Sequence, residues 1–200
     1  MIKFGLLFAG EKVWTGYKGF ETYKGIPWTY MFRDILNFDS SIDEALSRIA
    51  SSHRTCSIHL GVGAARDKDP FRLVDYSVND VHIYNDVNFP QYDTHTNKGG
   101  VLYYDQHWQP SDDPCLPALV NEFHGQLTPE VVLRNVTALH QTGDMHIAVM
   151  DFAGRNLYVS NAAVYDEAAG SAQPAYDRSF VQVSMDALWN EPKPTVGNIH

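Results

Sequence analysis

Two periodicities, met one after the other, restrict this chain more than any other feature of it. Between positions 27 and 50 apolar residues recur at helical spacing: Trp28, Met31, Phe32, Ile35 and Leu36, then Ile42, Ala45, Leu46, Ile49 and Ala50. Each set lines one face of a helix. Pro27 suits a first helical turn, and Ser41 with Glu44 three residues on forms a capping box for the second helix. After it the period changes to two. Residues 57–63 place Ile58, Leu60 and Val62 on one face, and 71–77 and 81–84 follow as short alternating strands, with Asn79-Asp80 as a turn. Adjacent amphipathic helices need a sheet face on which to bury their stripes, so this succession predicts helices layered on antiparallel sheet.

The same logic extends in both directions. Residues 4–9 read as a short buried strand, 86–100 as a polar loop and 101–104 as the next strand. Asp113 and Pro114 start a third helix, with Leu116, Leu119, Val120 and Phe123 facing inward and Gly125 as its stop. Thr128-Pro129 starts a fourth that runs to about His140, and a hairpin pairs 145–151 with 156–160 across Ala153-Gly154-Arg155. Helix pair, strands, helix pair, strands describes an α+β fold, a layered antiparallel sheet sandwich flanked by helix pairs rather than a doubly wound sheet. Residues 1–164 are expected to form the domain, and 165–200 an extended C-terminal tail packing on it, with 179–185 as one further strand.

Composition excludes several function classes. A 44% hydrophobic and 12% aromatic content supplies a packed core. The formal charge of -9, from 24 acidic against 15 basic side chains, argues against nucleic acid as partner. Apolar runs fall far short of the roughly 20 residues that span a bilayer. Met1-Ile2-Lys3-Phe4-Gly5 does not open a signal peptide. There is no Gly-x-Ser-x-Gly elbow, Walker loop, dinucleotide fingerprint or His-Glu-x-x-His. The pairs His53/His59 and His140/His146 match no recognised chelate spacing, so neither a metal nor another cofactor is expected. Cys56 and Cys115 are read as structural, and Asn135-Val136-Thr137 is a glycosylation sequon inside a predicted helix.

Two clusters concentrate polar and aromatic residues. One runs from Tyr103 through Tyr104, Asp105, Gln106, His107 and Trp108 to Asp113, at a strand end leading into a helix. The other, His140 to His146, joins the fourth helix to the hairpin and reads as an exposed polar edge. Strand ends that empty into loops are where rigid scaffolds hold reactive groups, whereas a packed Trp108 and two helix-capping aspartates would explain the first cluster without chemistry.

Tyr104-Asp105-Gln106-His107-Trp108-Gln109-Pro110, then Asp112-Asp113, a helix, and Asp144-Met145-His146-Ile147-Ala148-Val149-Met150-Asp151-Phe152 together resemble the acid ceramidase and penicillin acyltransferase branch of N-terminal-nucleophile hydrolases. The likeness is strongest to acid-ceramidase-like proteins of protists. It extends from Gly10-Glu11-Lys12-Val13-Trp14, through Pro27-Trp28, Phe32-Arg33-Asp34-Ile35-Leu36 and Arg54-Thr55-Cys56-Ser57, to Val159-Ser160-Asn161-Ala162.

The resemblance implies a precursor that cleaves itself to free an N-terminal Cys, whose thiol attacks an amide carbonyl while its own α-amine, titrating near ~8, serves as base. It implies an oxyanion and substrate region at Asp105, Gln106 and His107, with Tyr104 and Trp108 as substrate contacts. The oxyanion donor of the family falls on Tyr104, Asp105 or Gln106; a Gln amide can donate, an ionised Asp cannot. Pro114-Cys115 stand where acid ceramidase carries an Arg pair. The implied partners are an N-acyl amide or lipid-like small molecule and an upstream segment of the same precursor. That segment would carry the nucleophile and a signal peptide, so the chain is expected to be the C-terminal part of a lysosomal or secreted amidase or acyltransferase, inactive alone. A non-catalytic binding domain of the same fold is the alternative.

Overall fold

The computed structural model describes residues 7–14, 16–65, 67, 70–92, 98–104, 113–166 and 171–192. The chain divides into two compact units, residues 1–125 and 126–200. The fold class is α+β, and among the described residues every ladder between named strands is antiparallel.

In the first unit four strands lie in sequence order: β1 (Leu7–Lys12), β2 (Ile58–Ala64), β3 (Phe71–Tyr76) and β4 (Val81–Tyr84). Alternation decides their faces. Ile58, Leu60, Val62 and Ala64 of β2 and Val74 and Tyr76 of β3 point to one side, where α1 (Trp28–Phe38) and α2 (Ile42–Ser51) cover them. Met31, Ile35, Ile42, Ala45 and Ile49 are buried there, and Trp28, Phe32 and Leu46 pack half-buried around them. Each fully buried aliphatic side chain of this kind contributes roughly 1.5–3 kcal/mol. The predicted stripes narrow at their margins: Leu36, turned about 100° from Ile35 around the helix, is 50% exposed, and Ala50 is exposed.

The predicted caps form, with one change of partner. Pro27 precedes α1, and its carbonyl accepts from Tyr30 and Met31. Ser41 Oγ accepts from Glu44 N at 3.2 Å, but the Glu44 carboxylate reaches one residue further back, to Ser40 N and Oγ at 2.6 and 2.8 Å. The Ile42 amide donates instead to Asp67.

Two expectations about strands change. The first strand continues through Lys12, because Ala9 to Lys12 pair with Val62 to His59; of the expected 4–9 span, positions 4–6 lie outside the described residues. Residues 101–104 are not a strand. Gly100, at φ +78°, closes a tight turn in which Val101 bridges back to Lys98, and residues 102–104 run on without a ladder. Beyond them α3 (Cys115–Glu122) begins where Asp113 accepts from the Cys115 amide, and Leu116, Leu119 and Val120 are buried.

The second unit opens on a helical stretch made of α4 (Pro129–Val131), a π-helical segment Val132–Thr137 and α5 (Ala138–His140). Thr128 caps it, and Gln141, at φ 53°, ends it in the left-handed region. The expected hairpin is β5 (His146–Asp151) with β6 (Asn156–Asn161), turning through Arg155 at φ 53°. Two more strands, β7 (Ala163–Asp166) and β8 (Ser171–Gln173), form a small hairpin; β9 (Val181–Ser184) then adds to β6, and α6 (Met185–Asn190) follows. Segment 165–200 thus supplies the third strand of this sheet.

Candidate functional site

The alternation that turns Ile58, Leu60 and Val62 toward the helices turns His59 to the opposite face of the first sheet. Register then fixes its neighbours. Lys12 of β1 and Asp75 of β3 pair directly with His59, and His82 of β4 pairs with Asp75, so the four share one cross-strand row. Trp14, just past β1, stacks on the His59 ring at 4.7 Å between centroids, and the Tyr104 ring lies 4.3 Å from it.

Asp75 is the hub. Its Oδ1 accepts from His59 Nδ1 at 2.8 Å and from Tyr104 OH at 2.5 Å, and its Oδ2 from Tyr84 OH at 3.3 Å. Burial alone would raise the Asp75 carboxyl. The hydrogen bonds from His59, Tyr104 and Tyr84 together hold it below the usual carboxylate range. An ionised carboxylate only accepts, so the His59 proton facing it belongs to Nδ1. Burial, then the Asp75 charge, pushes the Tyr104 phenol well above its ordinary value and Tyr84 up to about 12. Lys12 Nζ donates to the Tyr104 carbonyl at 3.1 Å, and Phe89 packs edge-on against both Tyr84 and Tyr104. The result is a carboxylate-imidazole pair, its imidazole buried and its carboxylate half-buried, braced by two phenols.

Of the residues the resemblance implies for the site, Tyr104 is among the described residues, and it packs against this row. Asp105, Gln106, His107 and Trp108 lie outside the described residues. Cys56 and Cys115 are both free thiols and half-buried. His53 is exposed in the loop after α2 while His59 is buried, and in the second cluster His146 is exposed on β5. Asn135 sits half-buried in the π-helical segment, and Thr137 of its sequon is buried. In the sequence His59 stands out only as half of the His53/His59 pair, and Asp75 only as a polar position on an alternating strand. Which strands are neighbours, and in what register, is the information that joins them.

No family model matches the chain. Two curated relatives from Dictyostelium discoideum do. Protein dcd1B is 35% identical over 195 aligned residues, covering 92% of this chain and 39% of that protein. Protein dcd1A is 35% identical over 190, covering 90% of this chain and 43% of its own. The chain therefore spans about two fifths of the length of the curated relatives it matches.

Proposed function

We propose that these residues belong to a cysteine-dependent N-terminal-nucleophile amide hydrolase or acyltransferase acting on N-acylated lipids or related linear amides, in a secreted or lysosomal setting. The observation that carries this reading is the anchoring of Tyr104. Its phenol on Asp75, its ring on His59 and its carbonyl on Lys12 hold Tyr104, the residue before Asp105-Gln106-His107-Trp108 in the sequence, on the sheet face that α1 and α2 leave uncovered. Stabilising a developing oxyanion requires donors at a fixed place, and a residue anchored to a rigid sheet next in sequence to the candidate donors supports this reading.

In this reading Gln106 donates its amide to the oxyanion, Asp105 and His107 shape the same region, and Tyr104 and Trp108 line the substrate. The nucleophile is a Cys exposed at an N-terminus by processing of a polypeptide of the relatives' length; its α-amine takes the thiol proton. Cys56 lies between α2 and β2 and Cys115 opens α3, so both are internal and have no α-amine to offer.

The test compares the 200-residue chain with a polypeptide extended upstream to the relatives' length, assayed for fatty-acid release from N-acyl amides. Turnover is expected from the longer form, abolished when the processed Cys is replaced and lowered about 100-fold by Gln106→Ala. Turnover by this chain that disappears in Cys56→Ala or Cys115→Ala would overturn the reading, since an internal thiol would then be the nucleophile. Binding of N-acyl amides without turnover by the longer form would make this a binding domain instead.

A further inference from the structure

His59 Nε2 is buried and makes no hydrogen bond among the described residues. The His59 side chain is only 3% exposed, so bulk water does not reach it freely. Everything else about the ring is fixed. Nδ1 is held by Asp75, which is itself held by Tyr104 and Tyr84, and the Trp14 and Tyr104 rings pack against the imidazole. A buried polar atom without a partner carries a desolvation penalty that a fold ordinarily removes by pairing it. In the neutral ring, whose one proton faces Asp75 from Nδ1, Nε2 offers a lone pair, so what it lacks is a donor.

We propose that His59 Nε2 is the acceptor for the amide N–H of a bound N-acyl amide, with Trp14 and Tyr104 as flat walls beside that amide. This deepens the amidase reading and rests on it for the class of ligand. The site lies where Trp14, just past β1, and Tyr104 meet at the His59 ring. An acceptor for the amide nitrogen's hydrogen on this side would orient the carbonyl oxygen away from it, since the two groups of a trans amide point in opposite directions.

The test needs a probe with one donor hydrogen and a twin without it: N-butylhexanamide and N-butyl-N-methylhexanamide, titrated into the intact polypeptide. Histidine ¹⁵N spectra should show the unprotonated Nε2 resonance of His59, assigned by its loss in His59→Gln, moving with the first probe and not with the second. The N-methyl twin should bind about tenfold more weakly to the wild type. In His59→Phe, which keeps a flat ring, both probes should bind alike and at the weaker level. Where His59→Phe does not fold, the wild-type comparison of the two probes with the Nε2 resonance decides. An unmoved Nε2 resonance with equal affinity for both probes would overturn the proposal and leave Nε2 facing an ordered water. Hydrolysis of the amide with Nε2 unmoved would sink this site and keep the amidase reading. An Nε2 resonance that answers to 1-hexanol and to neither amide would keep a donor-binding site and sink the amide as its ligand.

Discussion

At the scale of single residues, Asp75 shows how much of a site can be hidden in an unremarkable position. In the sequence it is one acidic residue on a short alternating strand, with nothing to mark it. In the fold it accepts from His59, Tyr104 and Tyr84, and its carboxyl is held below its usual range. A lowered folded-state value means that the stability it contributes is present above the ordinary carboxylate titration, near ~4, and is lost as pH falls through the folded value. Tyr84 has the opposite sign. Raised to about 12, its neutral form supports the fold below the ordinary phenol value, near ~10, and that support fades as pH rises through the folded value. Urea midpoints measured against pH should therefore fall at both ends. Asp75→Asn should remove part of the acid limb, and Tyr84→Phe should remove part of the alkaline limb between about pH 10 and 12, where burial also raises Tyr76 to about 12. An alkaline limb unchanged in Tyr84→Phe would mean that another group titrates there.

At the scale of elements, helix stripes and caps were readable because both signals are local: side chains three or four positions apart meet on the helix whatever the rest of the chain does. The 101–104 segment departs from the expected strand for the converse reason. Its residues have strand composition, yet the turn at Gly99-Gly100 and the reach of Tyr104 to Asp75 draw it away from any ladder. Arg54 is a second long-range case. It is buried, and its guanidinium donates to the carbonyls of Ile49, Ala50 and Ser52 at the end of α2 and to those of Ser77 and Val78 in the β3–β4 turn. One side chain thus closes a helix C-terminus and fixes a hairpin. Arg54→Met should cost about 3 kcal/mol or more, read as a lowered urea midpoint, because five carbonyls lose a charged donor together. A loss under ~1 kcal/mol would show that water replaces it without difficulty.

At the scale of the whole molecule, the order of periodicities sufficed for the α+β class and for a helix layer on one sheet face, since burial leaves few other arrangements. The polar row on the other face was beyond reach, because Lys12, His59, Asp75 and Tyr104 are spread over more than ninety positions of the chain and meet only through register. Two global properties act together on solubility. The net charge of -9 at pH 7 falls to zero near pH 5.3, and among the described residues β1 pairs on one side only. An open ladder without charge repulsion invites association, so turbidity should peak near pH 5.3 and fall on either side. A turbidity that ignores pH would argue that β1 is covered. The π-helical segment Val132–Thr137 carries a last implication, and it concerns time. In the secretory setting proposed above, a glycan at Asn135 would have to be attached while the chain is still extended, because Thr137 is buried once that segment winds. The fraction of molecules bearing that sugar would record how long residues 132–137 stay unwound during synthesis, a clock written into the product rather than into its structure.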